Sequence, residues 1–193
     1  GLTLQDADDK LKADKEVVLA AVKEDGHALE LADDKLKADK EVILMAAKGG
    51  NLKVANVAMR KDKKIVLAAV KQSGYALEFA DDKLKTDKEV VLAAIKEDGH
   101  ALELADEKLK RDKKFILTAV KQAGDALEHA DDKLKADKDI LLAAVKYHGD
   151  NLCYADEKLK ADKEIVLAAV KQDGLRSSLY DVDEKLKGDK EFV

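Results

Sequence analysis

Residues 14–38 read DKEVVLAAVKEDGHALELADDKLKA, and close copies of this unit return along most of the chain. The aspartate that opens the apolar run recurs as Asp14, Asp39, Asp62, Asp87, Asp112, Asp137, Asp162 and Asp189, at spacings of 25, 23, 25, 25, 25, 25 and 27 residues. Glycine keeps the same phase at Gly1, Gly26, Gly49, Gly74, Gly99, Gly124, Gly149 and Gly174, leaving only Gly50 and Gly188 outside it. Self-similarity at such a period marks a repeat architecture, in which each unit buries its apolar faces by stacking on its neighbours.

Each unit reads as two helices. The opening Asp is a preferred N-cap, KEVVLAAVK carries acid near its start and lysine near its end in accord with the helix dipole, and the glycine suits a left-handed residue just past a helix end. The first helix is apolar nearly all round: Val17, Val18, Ala21 and Val22 on one side, Leu19 and Ala20 on the other. That pattern predicts a helix covered from several directions by stacked neighbours. A second helix from about His27 to Lys37 places Ala28, Leu29, Ala32 and Leu36 on one face, with a kink where Asp33 caps a separate turn. The expected fold is all-α, an α-solenoid of tandem two-helix repeats with a short, kinked second helix, forming one array over residues 1–193.

Composition agrees. Among 193 residues there is no Pro and no Trp, aromatics are 4% and charged residues 40%; the chain lacks the commonest helix breaker and is rich in helix formers. A leucine-rich repeat has a similar period, but its asparagine-bearing signature is missing, and tetratricopeptide, ankyrin and HEAT units are longer. Net charge is −5, with acids and lysines interleaved rather than in blocks, which argues against a basic nucleic-acid arm. No apolar run approaches the length of a membrane span. The lone Cys153 fits a reducing, intracellular compartment.

The units DKEVVLAAVKEDGHALELADDKLKA (14–38) and DKKIVLAAVKQSGYALEFADDKLKT (62–86) resemble the repeat family called domain of unknown function 4116. The joint pattern D-K-E-V-V-L-A-A-V-K-x-x-G-x-A-L-x-x-A carries the resemblance over essentially the whole chain. It implies a helical repeat array, often embedded in longer microbial proteins, and brings no catalytic residues with it. The ends of the sequence agree with an embedded array. It opens on the phase-marking glycine and closes shortly after Asp189, without the polar caps a free-standing solenoid needs, so a segment of a longer protein is expected.

Chemistry-bearing motifs are scarce. The acid pairs Asp33-Asp34, Asp81-Asp82, Asp106-Glu107, Asp131-Asp132, Asp156-Glu157 and Asp183-Glu184 lack a calcium-loop pattern and read as solvated helix starts, with Asp33 and Lys37 at ion-pair spacing. His27 and His100 share one register but stand three repeats apart, and His148 has only loose carboxylates at Asp150 and Asp125. His129 replaces the residue corresponding to Leu31. No metal, cofactor or small-molecule site is read from these positions. Ser73, Ser177 and Ser178 have no nucleophile elbow around them, and Cys153 takes the solvent-facing register of Glu30, so no catalytic residue is assigned.

Variation between copies gathers where stacking does not dictate the residue. After the glycine stand His27, Gly50, Tyr75, His100, Asp125 and Asp150; at the register of Leu31 stand Val54, Phe79, Leu104, His129 and Tyr154. Tyrosine favours binding hot spots. The candidate partner-binding residues are therefore Tyr75, His100, Tyr147 and His148, along the inter-helix turns. Val57 joins them from the irregular stretch KGGNLKVANVAMRKD (48–62), where two residues are missing before Gly49 and Asn56-Val57 replace the acid pair. The expected role is a non-enzymatic scaffold or protein–protein interaction module, with a protein partner and an accessory place in a larger assembly. Its alternative is the targeting or substrate-recruiting arm of an enzyme whose catalytic domain lies elsewhere. Nucleic-acid binding ranks behind both, because aspartates align beside the recurring lysines.

Overall fold

The computed structural model describes residues 4–48, 52–53 and 59–173, and every regular element among them is helical. The chain is an all-α tandem-repeat protein dividing into two compact units, Gly1–Glu97 and Asp98–Val193. In the first unit the opening helices Lys15–Glu24, Lys40–Lys48, Lys63–Val70 and Lys88–Glu97 pack in sequence order. In the second, Lys113–Val120, Lys138–Val145 and Lys163–Asp173 do the same; the 3₁₀ helices Gly124–His129 and Gly149–Tyr154 pack against them, and Gly99–Leu104 packs against Gly124–His129.

The repeat that opens at Asp112 shows how the sequence builds the unit. Asp112 is extended, and its carboxylate accepts the N–H groups of Lys114 and Phe115, starting the helix as expected of an N-cap. Phe115, Ile116, Ala119 and Val120 are buried, each large side chain contributing about 1.5–3 kcal/mol by leaving water. Leu117 stays half-buried and Thr118 exposed. Lys138–Val145 and the 3₁₀ helix Gly124–His129 pack on it, while the side that carries Leu117 and Thr118 remains open to solvent.

The glycine plays a different part from the one its phase suggested. Neither Gly99 nor Gly124 lies in the left-handed region. The preceding residue ends the helix by turning extended, as Ala123 does at φ −145° and ψ 109°, and the glycine then opens the 3₁₀ helix. What demands glycine is proximity to the next repeat. A Cβ on Gly99 would sit 2.1 Å from Asp125 Oδ1 and 2.8 Å from the Ala126 nitrogen; one on Gly124 would sit 2.4 Å from Asn151 Nδ2 and 3.0 Å from the Ala144 carbonyl oxygen.

The second helix is divided in two. GDALEH forms six residues of 3₁₀ helix, Ala130 turns extended at ψ 159°, and Asp131 caps the single α-turn Asp132–Lys135. Asp33 does the same for Asp34–Lys37, which confirms the separate turn. The ion pair there runs from Lys37 to Asp34 at 3.4 Å rather than to Asp33, because Asp33 spends its carboxylate on the Lys35 N–H. With i and i+3 eclipsed in a 3₁₀ helix, Leu127 and Ala130 line up toward the core and both are buried.

Two links recur between neighbouring repeats. The first Asp of an acid pair donates its backbone N–H to a carbonyl of the repeat before: Asp33 to Lys12 at 2.9 Å, Asp81 to Arg60 at 3.1 Å and Asp131 to Lys110 at 3.1 Å. The phase-marking Asp meets the lysine that follows the previous phase mark: Lys15–Asp39 at 2.9 Å, Lys63–Asp87 at 2.7 Å, Lys113–Asp137 at 2.6 Å and Lys138–Asp162 at 2.7 Å, with Lys40–Asp62 of the same kind. In Asp137 one oxygen caps the N–H groups of Asp139 and Ile140 while the other takes Lys113.

These links set a pH dependence. The carboxyls of Asp39, Asp62 and Asp162 are held below the ordinary 3.8, chiefly by the lysine hydrogen bond, against the opposing effect of burial. At Asp87 and Asp137 burial is the largest influence and pushes upward, but lysine and backbone N–H groups together outweigh it. A folded-state pKa below the unfolded one means stability is fully present above the unfolded value and is lost as pH falls toward the folded one. Urea midpoints should therefore hold near neutrality and drop below about pH 4, and Asp137→Asn should flatten that drop. Leu127→Ala, at a site with no exposure, should cost about 2–5 kcal/mol in the same titration.

Candidate functional site

In the second unit the 3₁₀ helices bring the variable registers together. Asp125 and Glu128 are three residues apart, so 3₁₀ geometry sets them on one side, about 6 Å apart along the axis. Both face the imidazole of His100 in the preceding 3₁₀ helix. His100 Nδ1 lies 3.5 Å from Asp125 Oδ2 and 3.4 Å from Asp98 Oδ1, while Nε2 lies 3.4 Å from Glu128 Oε2. Asp98 also caps this helix, accepting the His100 backbone N–H at 2.9 Å, which fixes where the ring emerges.

His129 follows Glu128 and turns its ring edge-on to His100, with centroids 5.4 Å apart. Its Nε2 is buried without a hydrogen-bond partner. Burial, with the nearby carboxylate of Glu128 opposing it, holds the imidazole pKa below 6.5, so the ring is neutral at pH 7. On the other flank the Tyr154 hydroxyl donates to Glu128 Oε2 at 3.0 Å. Burial and that carboxylate push the phenol's pKa up, so it stays a donor. Two overlapping sets, His100/Glu128/His129 and Asp98/His100/Asp125, each offer three ligand atoms within 4.8 Å of one another.

Sequence reasoning compared His100 with His27 in the same register and so missed this cluster. The register after the glycine in one repeat faces the registers of Glu30 and Leu31 in the next, so the partner of His100 is His129. The readable signal was an imidazole at both registers of successive repeats. Of the other predicted residues, Tyr75 in the first unit is 48% exposed and Tyr147 in the second 45%. His148 is exposed beside Tyr147, their rings 5.6 Å apart. Val57 lies outside the described residues. Cys153 is exposed, as its register predicted.

A second feature runs along the solvent-facing side of the opening helices in this unit. Between Lys113–Val120 and Lys138–Val145 lies a groove of about 490 Å³ lined by Leu117, Lys121, Leu142, Ala143, Lys146 and Tyr147, with Asp139 at its margin. Its equivalent, of about 360 Å³, lies one repeat on and is lined by Leu142, Lys146, Leu167, Ala168, Lys171 and Gln172, with Glu164 at its margin. Asp139 and Glu164 are engaged by Lys113 and Lys138. The open Leu-Ala side of each helix thus becomes a periodic row of apolar notches with lysine rims. Tyr154→Phe, which removes the hydroxyl from Glu128 and leaves the groove untouched, should lower unfolding free energy by about 1 kcal/mol in a denaturant titration.

No helix among the described residues is long and apolar enough to cross a membrane. No curated protein and no solved structure matches the chain. The sequence pattern described as a domain of unknown function, number 4116, matches residues 1–37, 14–57, 39–85, 87–135 and 162–193. Repeated matching over most of the length, on a fold whose described helices recur from one repeat to the next, makes this chain a member of the domain of unknown function 4116 family.

Proposed function

We propose that this chain is a protein-binding helical-repeat scaffold, whose partner lays a segment with apolar side chains and acidic groups along the notched face of the opening helices. The observation that carries this reading is the recurrence of the Leu117-Leu142-Leu167 row with lysines at one register, Lys121, Lys146 and Lys171. Burial in the stack does not require leucine at a half-solvated position, and the acids at the groove margins are already engaged by Lys113 and Lys138. The rim therefore presents positive charge beside apolar notches. Repeat proteins use such periodic faces to bind elongated partners, and Tyr147 supplies the amphipathic aromatic typical of a binding hot spot.

The test is a partner recovered by crosslinking in the source cell and then titrated against purified chains. Leu142→Glu, which spoils both grooves, and Lys146→Glu, which reverses the rim charge, should each weaken binding at least about tenfold, since hot-spot truncation costs 2 kcal/mol or more. Their unfolding midpoints should match the parent within error because both side chains are partly solvated. A partner that binds these variants as tightly as the parent chain defeats the reading.

A further inference from the structure

We propose that His100, Glu128 and His129 form a binding site for a divalent transition-metal ion of the zinc class, with Tyr154 and the carboxylates of Asp98 and Asp125 as outer supports. The first argument is donor supply. His100 presents one ring nitrogen to two carboxylates and the other to a third, yet a neutral imidazole carries a single N–H. If that N–H is on Nδ1, toward Asp98 and Asp125, the Nε2 lone pair faces the Glu128 carboxylate with nothing positive between them. A cation there resolves the opposition.

The second argument is dimension. Ligand atoms bound to zinc at about 2.0–2.1 Å in tetrahedral directions stand roughly 3.3–3.4 Å apart. His100 Nε2 and Glu128 Oε2 are separated by 3.4 Å, long for a hydrogen bond and right for two ligands of one ion. The third is the supply of a second imidazole: His129 offers a ring nitrogen within 4.8 Å of ligand atoms of His100 and Glu128, and its Nε2 is buried with no hydrogen-bond partner, a ring whose bonding capacity is not met from within the protein. Two imidazoles and a carboxylate are a ligand set zinc takes, leaving a fourth position for water. His100 and Glu128 are 41% and 42% exposed, so an ion enters from solvent.

The surroundings match what ligating groups require. A metal-bound imidazole donates its other N–H to a carboxylate, which fixes its tautomer; Asp98 and Asp125 stand where that donor points. A ligating carboxylate is itself hydrogen-bonded, and Tyr154 donates to Glu128 at 3.0 Å. The two histidines come from neighbouring repeats, so the ion would also clamp one repeat to the next.

The experiment uses the full chain without a histidine tag, stripped by a chelator and titrated with zinc chloride by calorimetry, with cobalt(II) as a spectroscopic stand-in. Expected are one tightly bound ion per chain, cobalt bands of tetrahedral intensity, and a raised unfolding temperature. His129→Leu installs the residue that Leu31 and Leu104 supply at this register, so it should fold while losing at least about tenfold in zinc affinity, as should Glu128→Gln; Tyr154→Phe should lose roughly tenfold as an outer-shell change. His148→Ala should change nothing. The proposal is overturned by absence of saturable zinc binding, or by parent-like affinity in His129→Leu. It is equally overturned if Asp125→Asn abolishes binding that His129→Leu leaves intact, because the ion then occupies the Asp98/His100/Asp125 set.

Discussion

Everything periodic in this protein hangs on an aspartate that works in two directions. One carboxylate oxygen closes the first turn of its own helix, and the other holds the lysine that begins the helix before it. Because an N-cap has a fixed place relative to its helix, tying the previous lysine to it locks neighbouring helices in register along their axes. The backbone bond from the acid pair to the preceding repeat does the same for the second half of the unit. Apolar burial supplies the larger energy, but leucine, valine and alanine faces tolerate sliding; the directional links select one stacking offset.

Much of the architecture was legible because the period is written so plainly. The caps, the helix that follows each and the separate turn at Asp33 all follow from side chains acting on their own backbone. What the sequence hid was anything that depends on the neighbour. The glycine at Gly99 and Gly124 suggests a left-handed stop when one repeat is read alone, yet its hydrogen is demanded by the chain of the following repeat. The Lys113–Asp137 pair joins residues that look unrelated until the units are stacked. The open leucine row was equally invisible, since apolar periodicity reports which residues avoid water on average and not which side of a helix lacks a neighbour.

The histidine cluster was missed for a related reason. Comparing equivalent positions is the natural way to read a repeat, and it aligns His27 with His100. Contacts between repeats instead join inequivalent positions, the residue after one glycine with the end of the next 3₁₀ helix. The eclipsed geometry of that helix, which sets Asp125 beside Glu128, could not be foreseen from a pattern read as α-helical. A single hydroxyl, that of Tyr154 on Glu128, joins the ends of two successive 3₁₀ helices, another pairing of inequivalent positions.

That diagonal has a consequence for how such genes change. Copying or deleting one whole unit carries along the lysine and the aspartate that join it to its neighbours, so the array can lengthen or shorten without loss of fold. The variable residues behave otherwise. Since a cluster is shared between adjacent units, every duplication writes a new pair of neighbours at the seam, and chemistry arises there that neither parent unit carried. A chain of near-identical parts can acquire a novel site by rearrangement alone, before any base is substituted.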